Sequence, residues 1–138
     1  MKRVLFDTNV LLDVLLDRQP YVEASAAAWA IVESGISEGM LAAHAVTTIH
    51  YLARKHMGIV KAKRILATVV KVFGVAAVDN AVILEALQLT FHDFEDAVTA
   101  AAARAAGCEF IVTRDPKGFR GSPIRSLSPE AVLPILAR

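Results

Sequence analysis

The chain has one cysteine, Cys108, few aromatic side chains, no long apolar run, and no acidic residue anywhere from Gly39 to Val78. A lone cysteine excludes a framework of internal disulfides. The longest apolar candidate, Ala24 to Val32, is alanine-rich, contains Ser25 and is flanked by Glu23 and Glu33. It falls well short of the roughly 18 residues that read as a membrane span. Asp7 and Asp13 interrupt the N-terminal apolar region, so it lacks the plan of a secretory signal. These absences lead to the expectation of a cytoplasmic protein without membrane association. The scarcity of aromatics leaves no base-stacking platform legible, and with it no sequence preference toward a nucleic acid. Linkers, repeats and low-complexity tracts are also missing, so residues 1–138 are expected to form a single domain. Hydrophobic residues make up 55% of the 138, which excludes disorder. A chain of this length buries roughly two-thirds of its unfolded surface.

The missing acids give the charge pattern its shape. The net charge is only +1, yet Arg54, Lys55, Lys61, Lys63, Arg64 and Lys71 all fall in the acid-free stretch, together with His44, His50 and His56. Every acid lies outside it. Segregation of this kind fits a basic face that attracts an anion such as nucleic acid, and fits equally a pair of solvated helix faces.

Short apolar runs alternate with helical patterns. Strands are expected over Arg3–Phe6, Met40–Ala43, Val75–Val78, Phe110–Thr113 and Ile124–Leu127. Pro20 opens a helix that ends before Gly35. Further helices are expected from about Val46 to Met57, Lys61 to Val72, and from a cap at Asp79 or Asn80. Another runs from Asp93 to Ala106, stopped by Gly107, and a short last helix begins at Ser128-Pro129-Glu130. Alternating strands and helices imply a parallel sheet covered on both faces.

Val4-Leu5-Phe6-Asp7 is an apolar run that ends in a carboxylate. Two readings stand for Asp7: a cap at a strand's end, or the floor of a site, because ligands of open α/β sheets bind outside the strands' carboxyl ends. Asp115 follows the Phe110–Thr113 run by two residues, and Asp93, Glu95 and Asp96 crowd the start of the late helix. At helical spacing Asp93 and Asp96 share a face and Glu95 points elsewhere. Two carboxylates ~4 Å apart repel by roughly 4 kcal/mol at an effective dielectric near 20. Asp7, Asp96 and Asp115 brought together therefore require protonation, a basic partner or a divalent cation, and all-oxygen donors favour Mg²⁺ or Mn²⁺. Each acid also has an ordinary use. Asp93 reads as a helix cap, Asp115 before Pro116 as a turn, Asp79 as a cap, and Asp13, Asp17 and Glu23 as solvated surface.

Three blocks, V-L-F-D-T-N-V-L-L-D, D-F-E-D-A-V-T-A-A-A-A and F-I-V-T-R-D-P-K-G-F, together resemble a PIN domain over essentially the whole chain. The resemblance implies a Rossmann-like three-layer α/β/α sandwich with a central parallel sheet. It also implies a Mg²⁺- or Mn²⁺-dependent ribonuclease, similar to the VapC-type toxins of toxin–antitoxin modules. Asp7, Asp96 and Asp115 then match the metal-binding acids, and Thr8, Asn9 and Thr113 the small polar residues that support them. One departure stands out. The family's usual glutamate on the second helix is absent, and Thr48 or His50 takes its place, with Asp93 as a compensating acid. By the same resemblance the partners are RNA, a small antitoxin and a second copy in a homodimer.

On this reading Asp7, Asp96 and Asp115 hold the metal, while Arg54 and Lys55, with Lys61, Lys63 and Arg64, bind the RNA backbone. Arg114, Lys117 and Arg120 place the scissile phosphate, and His50 touches phosphate or moves a proton. Two alternatives remain at this level. A PIN-fold module that binds RNA or protein with weak or no cleavage follows from the missing acid. An Asp-nucleophile phosphatase also places Asp after a first strand, but usually has a second Asp where this chain has Asn9.

Overall fold

The computed structural model describes residues 1–137. Strand β1 (Arg3–Phe6) is central in a five-stranded sheet with β2 (Glu38–Ala42), β3 (Gly74–Ala76), β4 (Phe110–Val112) and β5 (Arg125–Leu127). The strand order is β3-β2-β1-β4-β5 and every pairing is parallel. A parallel sheet must be covered on both faces, which is why β1 reads as continuous apolar sequence rather than alternating. Its side chains still divide: Val4 and Phe6 enter one core and Leu5 the other.

Helices α1 (Thr8–Leu15), α2 (Val22–Glu33), α3 (Ala43–Met57), α4 (Ile59–Val72) and α7 (Pro129–Leu136) cover the first face. Phe73 closes this core, with its ring edge-on to Phe6 and Trp29 at 5.0 Å each. Gly39 permits that closure, since a Cβ there would stand 2.7 Å from both Phe73 and Val32. Helices α5 (Asn80–Gln88) and α6 (Phe94–Ala105) cover the other face. Residues Ala97 to Ala103 of α6 are all buried. The small side chains let this helix lie flush between sheet and α5, where added methylenes would cost about 1–3 kcal/mol. Cys108 is buried in the same core, and burial pushes its thiol up to about 11, which makes it an inert apolar residue.

The expected three-layer α/β fold is present, with differences at the ends of elements. The first helix, α1, has no counterpart in the sequence reading. Its eight residues make barely two turns, short of the roughly 11–18-residue window in which a helical period is read. Helix α2 begins at Val22, beyond Pro20, where the Tyr21 and Val22 amides both bond the Arg18 carbonyl. Helix α3 begins at Ala43, three residues ahead of expectation. It leaves β2 directly through Ala42, which has no side chain to signal a cap. Among the described residues no helix is long and apolar enough to cross a membrane.

The strand order reverses at β1, which has β2 on one side and β4 on the other. That reversal opens a crevice at the carboxyl ends of β1 and β4. Asp7 and Thr113 are the residues that follow those two strands.

Candidate active site

Asp7 is both a cap and a residue at the bottom of a cavity. It is the N-cap of α1, with Oδ1 accepting the Thr8 amide at 2.9 Å. Its Oδ2 accepts the Thr113 hydroxyl at 2.9 Å, and the same Thr113 Oγ1 accepts the Asp115 amide at 3.1 Å. One buried hydroxyl thus ties the carboxylate after β1 to the loop after β4. Hydrogen bonds of this charge-assisted kind contribute about 1.5–3 kcal/mol each. Despite them, burial holds the Asp7 carboxyl above the usual aspartate range.

Asp7 floors a cavity of about 240 Å³ that Asp96, Asp115, Asp93 and Glu95 also line. Asp93 is the N-cap of α6, its Oδ1 accepting the Asp96 amide at 3.2 Å. Asp96 on the first turn is pushed up to about 7, chiefly by burial and then by the charges of Asp7, Asp93, Asp115 and Glu95. Contrary to expectation, Glu95 faces this cavity too, at its exposed mouth. Gly118, in the 3₁₀ turn Pro116–Phe119, holds the rim. A Cβ there would lie 2.8 Å from Asp115 Oδ2 and 3.6 Å from Asp96 Oδ2. Only a glycine lets these two carboxylates come so near the turn.

The α3 side of the cavity is formed by His44, Thr48 and Leu52, spaced four residues apart on one helix face. Thr48 therefore stands where an acid was expected and not found. His50 is displaced about 200° around the helix from Thr48, and is absent from the lining. His44 takes its place as the site's histidine. Its Nε2 is 3.3 Å from Thr99 Oγ1, and that hydroxyl donates to the Glu95 carbonyl at 2.9 Å. The Thr99 proton being spent, Nε2 is the donor, and Nδ1 is left as a buried ring nitrogen without a hydrogen-bond partner. Sequence reading missed His44 because it placed the start of α3 too late. The i, i+4, i+8 spacing of His44, Thr48 and Leu52 was the available signal.

Other expected site residues are placed elsewhere. Arg114 sits beside Asp115 in sequence, but its side chain turns away from the acids. Its Nε lies 2.8 Å from Asp13 Oδ2, and the guanidinium stacks on the Tyr21 ring at 3.9 Å. Asp13, expected on solvated surface, is fully buried, with Ser25 Oγ donating to it at 3.3 Å and Arg18 at 3.9 Å. Burial still raises its carboxyl above the usual range. Arg54 and Lys55 are exposed near the far end of α3, on the order of 15 Å along the helix axis from His44. Asn9 and Thr8 do line the cavity, and Asn9 Oδ1 accepts Arg18 Nη1 at 3.1 Å. Asp79 caps α5, as expected, through the Val82 amide at 3.0 Å.

The donors facing this cavity are carboxylates, hydroxyls and one imidazole. Among the described residues no three acidic, histidine or cysteine groups are already drawn into a tight ligand cluster. A loosely spaced oxygen set with excess negative charge fits a hard divalent cation that keeps part of its water shell.

Comparison with known proteins agrees with this geometry. A family model described as PIN domain matches residues 3–117. Ribonuclease VapC1 of Aquifex aeolicus is 26% identical over 137 residues, covering 94% of this chain and 92% of that protein. Among solved structures, a DNA-bound VapBC from Salmonella typhimurium superposes with a TM-score of 0.73 at 17% identity, covering 94% of this chain and 99% of that one. A toxin–antitoxin complex from Klebsiella pneumoniae gives 0.69 at 20% identity, over 91% and 97%. At these identities the structural likenesses speak for the fold.

Proposed function

Because this chain belongs to the PIN domain family, we propose that it is a divalent-metal-dependent ribonuclease, the toxin component of a toxin–antitoxin module acting in the cytoplasm. The observation that carries the proposal is the uncompensated acidity of the cavity. Three aspartates from three segments converge there, and burial, then the charges of its acidic neighbours, push the Asp96 carboxyl up to about 7. The name of the Aquifex relative supports the same activity.

Asp7, Asp96 and Asp115 are the residues that would hold Mg²⁺ or Mn²⁺, directly or through water. When bound, the ion supplies an acidified water and neutralises charge building on the phosphate. The protein's own contribution is orientation. The Thr8 amide and the Thr113 hydroxyl each hold one Asp7 oxygen, and each oxygen keeps a second acceptor site. Thr113 also holds the Asp115 loop, and Asp93 anchors the turn that carries Asp96. His44, its Nε2 directed at Thr99, presents its unpartnered Nδ1 to the cavity for a hydrogen bond or proton exchange with substrate. Phe119, buried beneath the cavity, keeps its floor dry. A small antitoxin over the acidic groove and a homodimeric assembly belong to the same proposal, supported by likeness to the toxin–antitoxin complexes.

The test is cleavage of single-stranded RNA by purified protein across Mg²⁺ and Mn²⁺. Cleavage should require the metal, and Asp7→Asn should lower it at least about 100-fold, since removing one such electrostatic element typically costs that much. Equal cleavage in excess chelator, or by Asp7→Asn, would sink the mechanism. RNA binding without cleavage in either metal would favour a binding module in which His44 and Thr48 fail to replace the missing acid.

A further inference from the structure

The acidic cavity has a second chamber that the metal-site reading leaves unused. A groove of about 550 Å³ shares Asp93, Asp96 and Asp115 with it, and is otherwise lined by Thr90, Phe91, His92, Lys117, Gly118 and Arg120. Its walls are two loops, one between α5 and α6 and one formed by the 3₁₀ turn and the residues after it. The loops approach each other closely: a Cβ built on Gly121 would lie 3.8 Å from Thr90 Oγ1.

Charge on this side is of the opposite sign to the cavity floor. Lys117 and Arg120 are exposed, and among the described residues neither makes an ion pair. They are three residues apart around a single 3₁₀ turn, a spacing that brings side chains onto one side. Other bases are engaged elsewhere: Arg114 is held by Asp13, Arg104 pairs with Glu85 at 3.3 Å, and Lys55 Nζ lies over the Tyr51 ring at 5.0 Å. Phe91 adds an aromatic surface. Its ring meets the buried Phe119 ring edge-on at 5.8 Å, so it is braced from below while remaining partly open to the groove.

We infer that this groove is the subsite for the nucleotide next to the scissile bond, with Lys117 and Arg120 on its phosphate and Phe91 under its base. The inference rests on the ribonuclease reading and deepens it. A phosphate over Asp7, Asp96 and Asp115 with its metal needs a strand direction, and this groove is where cations adjoin those acids. A base stacked on Phe91 gives affinity with little sequence demand, because every base presents a π-face. The sequence expectation placed Lys117 and Arg120, with Arg114, on the scissile phosphate itself and the strand's backbone on Arg54, Lys55, Lys61, Lys63 and Arg64; the groove moves Lys117 and Arg120 to the neighbouring phosphate.

The experiment measures binding of a short single-stranded RNA to the cleavage-silent Asp7→Asn protein as salt is varied. Each phosphate contact on a single strand contributes about −0.7 to the slope of log affinity against log salt. Combining Lys117→Ala with Arg120→Ala should make the slope shallower by about 1.4. Lys2→Ala with Arg125→Ala, which removes the same charge at the amino-terminal ends of β1 and β5, opposite the site, should leave it unchanged. Phe91→Leu keeps an apolar residue on Phe119, and should weaken binding about tenfold without changing the slope. In the Asp7-intact protein the same groove substitutions should raise KM and leave kcat within about twofold, as loss of uniform binding does. RNA that is bound and cut normally while the Lys117/Arg120 variant keeps the full slope would overturn the subsite and spare the ribonuclease. A protein that neither binds nor cuts RNA in any metal would overturn both.

Discussion

Replacing Asp96 with asparagine should do two opposite things to this protein. The carboxyl is raised from 3.8 to about 7 in the fold, first by burial and then by Asp7, Asp93, Asp115 and Glu95. A group whose folded value lies above its unfolded value binds protons more tightly when folded. Stability is therefore present below the unfolded value and is lost as pH rises through the folded one, from about 4 to about 7. At 1.36 kcal/mol per unit the ceiling on that loss is about 4 kcal/mol, and solvent screening of a part-exposed group reduces it to about 2 kcal/mol. An asparagine side chain cannot ionise, so the variant escapes the loss. In metal-free buffer its advantage over the natural chain should be about 2 kcal/mol larger at pH 8 than at pH 4. For 138 residues that is a difference of about 7 °C in Tm. Differential scanning calorimetry at the two pH values measures it directly. Saturating Mg²⁺ or Mn²⁺ should recover the missing stability in the natural chain and do little for the variant, by mass action on the folded state alone. Cleavage by the variant should be lost throughout. A gain that is the same at both pH values, or larger at pH 4, would refute the claim that Asp96 is destabilised by its acidic neighbours.

Gly118→Ala should separate metal geometry from stability. The new Cβ would meet Asp115 Oδ2 at 2.8 Å, and a side-chain oxygen can swing away cheaply. Melting should fall by less than about 1 kcal/mol, as for surface changes generally, while the metal concentration needed for half-maximal cleavage rises at least about tenfold; an unchanged metal requirement would place Asp115 outside the metal site. Asp13→Ala should strand Arg114 half-buried without its carboxylate. Breaking a buried pair costs about 3–5 kcal/mol, and the partial exposure of Arg114, 26%, puts this case near the lower end. Urea denaturation with an unaltered midpoint would show that the pair contributes nothing.

The sheet and most helices are legible in the sequence because their signals are local. The β1 run ends at its carboxylate, Gly107 stops α6, and Ser128 and Asp79 cap as their side chains require. Helix α1 escapes because eight residues span barely two turns, too few for a helical period to be read. The early start of α3 escapes because Ala42 offers no cap, and with it goes His44, the histidine the site uses. Thr48 and His50 both stand near the expected motif position, yet they cannot face the same way from one helix, and Thr48 is the one that lines the cavity. Asp13 reads as solvated surface and Arg114 as a phosphate-placing base because neither reveals its partner. They lie far apart in the chain, and only the packing of α1 beneath the β4 loop makes them a pair.

Sequence alone determined that Asp7, Asp96 and Asp115 would follow strands or open a helix, since apolar runs and caps are dictated by neighbouring residues. It also determined that their charges would need compensation if they met. The tertiary structure decided that they do meet, because the strand order reverses at β1 and no local pattern encodes which strands become neighbours. It decided equally which bases stay free to receive a phosphate. Arg114 was taken by a buried aspartate, whereas Lys117 and Arg120 were left open beside the acids. Pairing of that sort depends on the burial and direction of each side chain, which exist only once the chain has folded.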